Sequence, residues 1–194
     1  MIKYPDGKTF VEEQKKERKR DDSKNYLLAN MGMNFENDVS KSCEFYKIHE
    51  IALIYKRPTP IKVVKMDKEK KGMISQAYFQ EKSVTDYVGL YRGKYIDFEC
   101  KETIHDSVPY SMIREQQYRH LFYVNKLGGI GFFLISFKRY QEVYLIDSKV
   151  ILNEIERKKH PGFKREFIRD NGVLVERSYT PPYKIIDAVD KVYF

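Results

Sequence analysis

The segment Thr85–Lys101 constrains this chain more than any other, because it predicts a β-hairpin whose register follows from its turn. Its Tyr, Val and Ile residues favour strands, and Arg92-Gly93 suits a two-residue turn. With that turn, the ladder of paired residues places Asp86 directly opposite Glu99, with the two side chains on one face. A longer turn would slide Asp86 away from Glu99, so the predicted pairing depends on the turn.

Two carboxylates that face each other across a ladder repel, so a sheet gains no stability from Asp86 and Glu99. A divalent cation between them removes the repulsion, and Mg²⁺ prefers carboxylate oxygens. Strand alternation puts Asp97 and Lys101 on the same face as Glu99, and a lysine there can stabilise charge on a phosphate during hydrolysis. The pattern therefore predicts a Mg²⁺ site, which Mn²⁺ could also fill. The alternative is a row of exposed strand charges without a function.

The chain carries a net charge of +8, which narrows the classes of partner. A basic surface binds phosphate backbones with release of counterions. Anionic membrane attracts the same charge, but the sequence has no evident basic amphipathic helix and no apolar run of about 18 residues. Two cysteines, Cys43 and Cys100, are too few for a disulfide framework. We expect a nucleic acid as the partner and no interaction with a membrane. Because the sequence shows no signal peptide, we expect the protein in the cytoplasm.

The apolar patterns predict a mixed α/β fold. Residues 33–49 form a helix with an apolar stripe and Asn34 as its N-cap. Residues 109–127 form a second helix with Pro109 in its first turn. The continuous apolar run 130–137 predicts a buried central strand. The remaining predicted elements are a buried strand at the apolar run 51–55, a strand at 141–146 and a final helix at about 183–192.

Two basic segments stand apart from these elements. Residues 1–30 lack periodic apolar positions and predict a mobile basic N-terminal arm, which is either a strap for DNA or a partner, or a solvated tail. Residues 31–194 then form a single domain. Within it, the basic insertion at about 56–80 has a weak alternation that predicts an extended ribbon. That ribbon is either a projecting stalk or a solvated hairpin.

Motifs along nearly the whole chain resemble the RecU Holliday-junction resolvases of Gram-positive bacteria. The similarity is densest in the hairpin, at Thr85-Asp86-Tyr87, Gly89, Tyr91, Gly93, Tyr95-Ile96-Asp97-Phe98-Glu99 and Lys101-Glu102-Thr103. It extends to Tyr4-Pro5-Asp6-Gly7-Lys8-Thr9-Phe10, Gly32-Met33, Pro58-Thr59-Pro60 and Ala77-Tyr78-Phe79. Asp86 and Glu99-Cys100-Lys101 also have the D...ExK spacing of restriction-endonuclease-like nucleases. Two positions depart from the family, which often has Thr in place of Val84 and Arg in place of Met31.

The resemblance implies a restriction-endonuclease-like core with a projecting basic stalk, assembled as a homodimer. The implied activity is a Mg²⁺-dependent endonuclease that resolves four-way DNA junctions by paired nicks. Asp86 and Glu99 would be metal ligands and Lys101 the transition-state stabiliser. Gln117 matches a metal-site glutamine, or else is an ordinary polar helix residue. Glu36 matches the first-helix acid of this nuclease class, or else is a first-turn acid favoured by the helix dipole.

The basic residues expected at the DNA interface lie in the insertion and the hairpin, at Lys56, Arg57, Lys62, Lys65, Arg92 and Lys94. Two rival functions stay open beside junction resolution. One is a nuclease of the same fold that acts on flaps or damaged ends. The other is a non-catalytic module that binds junctions, anneals strands and modulates a RecA-type recombinase. Two acids beside a phosphate weigh against a purely DNA-binding role.

Overall fold

The computed structural model describes residues 35–66, 70, 73–79, 84–157 and 161–194. Residues 38–194 form one compact unit, and residues 35–37 belong to a separate, smaller one. The predicted N-terminal arm and the N-cap at Asn34 lie outside the described residues, as do parts of the insertion 56–80. Residues 35–48 form helix α1, of which the first three belong to the smaller unit. Among the residues that the structure describes, every helix is too short or too polar to cross a membrane.

A six-stranded mixed sheet forms the centre of the larger unit. Its strands, in spatial order, are β1 (Leu53–Lys56), β4 (Tyr87–Tyr91), β5 (Lys94–Thr103), β7 (Ile130–Phe137), β8 (Glu142–Asp147) and β10 (Val173–Leu174). All neighbours are antiparallel except β5 and β7, which run parallel. A parallel pair needs a crossover, and helix α2 (Glu115–Lys126) supplies it.

The other elements surround this sheet. Strands β2 (Ile61–Met66) and β3 (Ile74–Phe79) form a separate antiparallel ribbon, as the alternation in the insertion predicts. Strands β6 (Ser107–Pro109) and β9 (Gly162–Lys164) pair in a second small ribbon. The remaining helices are α3 (Ser148–Arg157), α4 (Arg165–Asn171) and α5 (Ile185–Tyr193).

The hairpin of β4 and β5 has the predicted two-residue turn. Arg92 and Gly93 have φ angles of 46° and 72°, the left-handed pair that a type I′ turn requires. The ladder runs from Tyr91 opposite Lys94 outwards to Tyr87 opposite Phe98. The predicted register is therefore confirmed over these five pairs. Asp86 comes one residue before β4, so its place opposite Glu99 is the predicted next step of this register.

Strand β7 is buried along its whole length, because apolar side chains pack against both faces of the sheet at this strand. Phe133, Ile135 and Phe137 pack into a cluster with apolar residues of α2, α3 and α4. On the other face, Phe132 stacks on Phe98 and contacts Tyr193 of α5. Helices thus cover both faces, which is typical of a sheet with a buried parallel pair.

The helix predicted over residues 109–127 was wrong in its first turn. Pro109 pairs with Gly162 in the β6–β9 ribbon, and a short 3₁₀ turn follows at Tyr110–Met112. Arg114 is extended, and α2 begins at Glu115. Pairing with a distant strand decides this boundary, and local sequence does not encode it. Strand β1, predicted as buried from its apolar run, is instead an edge strand with three of its four residues exposed.

Candidate active site

The acids of the hairpin lie where strands β4 and β5 meet helix α2. An Oδ2 atom of Asp86 accepts a hydrogen bond of 2.9 Å from the amide of Cys100, the residue that follows Glu99. The carbonyl oxygen of Asp86 accepts another of 2.7 Å from the amide of Arg57. The backbone on both sides of the hairpin therefore fixes Asp86 next to Glu99.

Glu99 is almost fully buried, with 2% of its surface exposed. Its Oε1 atom accepts hydrogen bonds of 2.5 Å from Lys101 Nζ and 2.5 Å from Gln117 Nε2. Its Oε2 atom is buried and has no hydrogen-bond partner among the residues that the structure describes. A buried carboxylate oxygen without a partner carries a desolvation penalty of about 1–3 kcal/mol or more.

The charge state of Glu99 reflects these surroundings. Burial and, to a lesser extent, the nearby Asp86 carboxylate raise the pKa of Glu99 to about 7, against the opposing effects of Lys101 and Gln117. Repulsion from Asp86 is what the predicted pairing of the two acids implies. Lys101, with only 14% of its side chain exposed, is bound to Glu99 and lowers its pKa, but it does not offset the effects of burial and Asp86.

Gln117 reaches Glu99 because of how helix α2 begins. The Gln117 side-chain oxygen accepts a hydrogen bond of 3.1 Å from the amide of Arg114, the N-cap residue. That contact is half of a capping box, which the sequence pattern did not reveal because the N-cap is an arginine. It fixes the Gln117 side chain at the buried end of the helix, and the amide nitrogen then faces Glu99.

A second buried acid, Asp97, lies two residues before Glu99 on β5 and is fully buried. It accepts hydrogen bonds from Arg57 at 2.6 Å, His120 at 2.8 Å, Tyr95 at 2.9 Å and the Thr85 hydroxyl. Burial alone would raise the pKa of Asp97, but the His120 and Thr85 hydrogen bonds and the Arg57 charge hold it below its ordinary value. Strand alternation predicts that Asp97 shares a face with Glu99, but it does not predict the contacts with Arg57, Thr85 and His120, which lie outside β5 in the chain.

Comparison with known proteins places this arrangement in a family. A family profile described as "Recombination protein U" (RecU) matches residues 30–191. The chain belongs to the RecU family. A protein of Geobacillus sp. named Holliday junction resolvase RecU is 39% identical over 200 residues, covering 100% of this chain and 98% of that protein. Proteins of the same name from Bacillus cytotoxicus and Bacillus cereus are 35% and 36% identical over 199 residues, with the same coverage.

The structure brings four predicted site residues of this RecU chain together: Asp86, Glu99, Lys101 and Gln117. Glu36, the fifth, lies half-buried in the first turn of α1, within the separate unit 1–37. Its role in the site therefore stays a prediction. The resemblance to RecU proteins, rather than the geometry of the hairpin, supports that role.

The predicted DNA-binding residues fall into three places. Lys56 is exposed at the end of β1, and Lys62 and Lys65 are exposed on β2. Arg92 is the first residue of the hairpin turn and Lys94 is the first residue of β5. Both lie over the ring of Phe194, about 17 Å along the strands from the acids.

Arg57 is different, because its guanidinium is already bound to Asp97, Thr85 and Tyr95. It therefore links the start of the insertion to the hairpin.

The donor set at Glu99 fits a divalent cation. The partnerless Oε2 atom supplies a buried oxygen, and Asp86 supplies a second carboxylate beside it. Mg²⁺ takes oxygen ligands and is often held by one or two carboxylates. In the described part of the chain, no cluster of three or more His, Cys, Asp or Glu side chains forms a metal site. The two carboxylates of Asp86 and Glu99 are oxygen donors of the kind that a hard ion takes.

Proposed function

We propose that this protein is a Mg²⁺-dependent, structure-specific endonuclease that resolves four-way DNA junctions by paired nicks. The observation that carries the proposal is the buried Glu99 carboxylate, which faces Asp86 and keeps one oxygen without a partner in the described residues. The relatives' name, Holliday junction resolvase, supports the substrate class. The net charge of +8 supports binding to phosphate backbones.

In this proposal Asp86 and Glu99 would hold Mg²⁺ or Mn²⁺, which would supply a lowered pKa for a bound water and polarisation of the phosphate. Gln117 and Lys101 hold the Glu99 carboxylate in place through its Oε1 atom. The Lys101 ammonium group also places a positive charge on the site face, where it stabilises the extra charge of the pentavalent transition state. Because Glu99 is buried, bulk water is kept away from its hydrogen bonds with Lys101 and Gln117, and both hydrogen bonds are stronger as a result.

The architecture is part of the proposal. We infer a restriction-endonuclease-like core, because an antiparallel hairpin with D...ExK spacing joins a parallel strand through a helix. Residues 31–194 form the nuclease domain, the insertion at about 56–80 is its stalk, and residues 1–30 are a basic arm. A homodimer would present two such sites to opposed strands in the cytoplasm. By the family resemblance alone, Glu36 is predicted to be the first-helix acid of this nuclease class.

The test is cleavage of a labelled, mobile four-way junction by the purified protein, with Mg²⁺ and with EDTA, beside linear duplex and flap substrates. Paired nicks that require both Mg²⁺ and the junction are the expected result. Glu99→Gln should abolish cutting while junction binding persists. Glu102→Gln is the matched control, since Glu102 lies on the same strand but bonds Ser136 and Lys138 instead.

Three outcomes would change the proposal. A Glu99→Gln protein that cuts at the normal rate would contradict the site assignment. Preferential cutting of flaps would indicate a different nuclease with the same fold. Junction binding without cleavage under Mg²⁺ or Mn²⁺ would favour the strand-annealing module that modulates a RecA-type recombinase.

A further inference from the structure

Asp97 resembles Glu99 in position and differs from it in every contact. Both acids lie on β5 and both are buried. The Oδ1 atom of Asp97 accepts from Thr85, and its Oδ2 atom accepts from Arg57, Tyr95 and His120. Both oxygens are thus occupied by donors from the chain itself, so Asp97 is suited to holding protein groups in place rather than an ion.

Apart from Tyr95, which lies on β5 itself, the donors to Asp97 come from three separate parts of the fold. Arg57 follows β1 and begins the segment that leads into the β2–β3 ribbon, and Thr85 follows that ribbon. The residues on either side of the ribbon in the sequence also contact each other, because Arg57 Nε donates a hydrogen bond to Thr85 Oγ1 at 3.1 Å. His120 belongs to α2, on the far side of β5 in the chain. Asp97 therefore joins both ends of the ribbon to the crossover helix.

Each of these parts also carries a group of the candidate active site. Thr85 immediately precedes Asp86, and the Arg57 amide bonds the Asp86 carbonyl at 2.7 Å. His120 lies one helical turn after Gln117, which bonds Glu99. Asp86 and Gln117 thus reach Glu99 from elements that Asp97 holds against the same strand.

We propose that Asp97 is a positioning residue for metal binding and cleavage, which holds Asp86 and Gln117 against Glu99 through Arg57, Thr85 and His120. This inference rests on the proposed function, since it names the groups that assemble the same site. It also gives the β2–β3 ribbon a connection to the chemistry. The side chains of Arg57 and Thr85, which lie on either side of the ribbon in the sequence, both bond Asp97 on the strand that carries Glu99.

The test measures Mn²⁺ binding without DNA, by electron paramagnetic resonance, in the full-length protein and in Asp97→Asn. Loss of the groups that orient metal ligands weakens metal affinity about 10–100-fold, and we expect a loss in this range. Junction cleavage should then need correspondingly more Mg²⁺, and excess Mg²⁺ should restore most of the rate. Thr85→Val keeps the Asp97 charge and side-chain shape but removes one donor, so it should weaken Mn²⁺ binding in the same direction to a smaller degree.

Glu142→Gln is the matched control for a merely structural role. Glu142 accepts two hydrogen bonds from Arg165, at 2.8 and 2.7 Å, on strand β8. Its loss removes a half-buried ion pair with two hydrogen bonds, without changing a residue of β5 or α2, and should leave Mn²⁺ affinity unchanged. Normal Mn²⁺ affinity in both folded Asp97→Asn and Thr85→Val would overturn the inference alone. A wild-type protein that neither binds Mn²⁺ nor cuts junctions would overturn the proposed function with it.

Discussion

Replacing Glu99 by glutamine should stabilise the metal-free protein at alkaline pH, although it should abolish cleavage. Glu99 is buried near Asp86, and its pKa is raised from 4.5 to about 7. A carboxyl group whose pKa is raised on folding contributes stability that is fully present below its unfolded pKa, near 4.5. That contribution is lost as the pH rises through 7, where the folded protein must ionise Glu99. Glutamine carries no such charge at any pH.

The size of the effect follows from the pKa. Each pKa unit corresponds to about 1.4 kcal/mol, so the rise of Glu99 amounts to about 3 kcal/mol between pH 4.5 and pH 8. The free energy of unfolding of Glu99→Gln should therefore gain about 3 kcal/mol on the wild type over that range. In a chain of this size the gain is roughly 6–12 °C in Tm.

The assay is urea unfolding in EDTA from pH 5 to pH 8, followed by the same series with excess Mg²⁺. In EDTA the two proteins should be about equal at pH 5, and the variant should be ahead at pH 8. Mg²⁺ should stabilise only the wild type at pH 8, since binding to the folded state adds stability by mass action. Glu142→Gln is a control of opposite sign, because the Arg165 hydrogen bond lowers the pKa of Glu142.

One result would refute this reasoning directly. If the unfolding free energies of wild type and Glu99→Gln run parallel from pH 5 to pH 8 in EDTA, the Glu99 pKa is not raised. The two acids then do not repel in the folded protein, and their pairing gives no reason for a cation. For the control, the stability deficit of Glu142→Gln should shrink as the pH falls through the acid range, since a lowered pKa contributes stability only above it.

Three further predictions test the hairpin. Lys101→Met should slow junction cleavage about 10²–10³-fold at saturating Mg²⁺ in a quenched-flow assay, with junction affinity in a binding titration nearly unchanged. Gly89→Ala should lower the unfolding free energy in urea by about 1–3 kcal/mol, because a Cβ would lie 2.0 Å from the Leu53 carbonyl oxygen, whereas exposed Leu90→Ala should change it by less than about 1 kcal/mol. Gly93→Val should lower the Tm, since its φ of +72° disfavours a side chain, and a Tm equal to wild type would contradict the I′ turn.

The sequence predicts best where structure is local. The hairpin register follows from one turn, and two residues with positive φ at Arg92-Gly93 produce it. The continuous apolar run at residues 130–137 predicts a central strand, and all eight residues of β7 are buried in the fold. The helix at residues 35–48 also agrees with its apolar stripe, since Val39, Cys43 and Tyr46 are buried.

Elements that depend on distant partners escaped prediction. The start of α2 is displaced because Pro109 pairs with Gly162 across a long stretch of chain. Helix α3 was not predicted, although Asp147 is a residue type that often caps the start of a helix. In the fold Asp147 accepts a hydrogen bond of 2.7 Å from the Lys149 amide at the helix start. Its buried residues Ile151 and Leu152 suit one helix face, but so short an apolar stripe does not distinguish a helix from a loop in the sequence.

The pair Asp97 and Glu99 shows why the chemistry of a site exceeds its motif. In the sequence both are acids on one face of a strand, and alternation gives them the same expectation. In the fold Asp97 is surrounded by four donors and has a lowered pKa, whereas Glu99 has a raised pKa and a buried oxygen without a partner in the described residues. The donors that make this difference, Arg57 and His120, lie far from β5 in the chain. A buried acid that the fold fully satisfies holds structure, and one that it leaves partly unsatisfied beside a second acid is where a cation gains most.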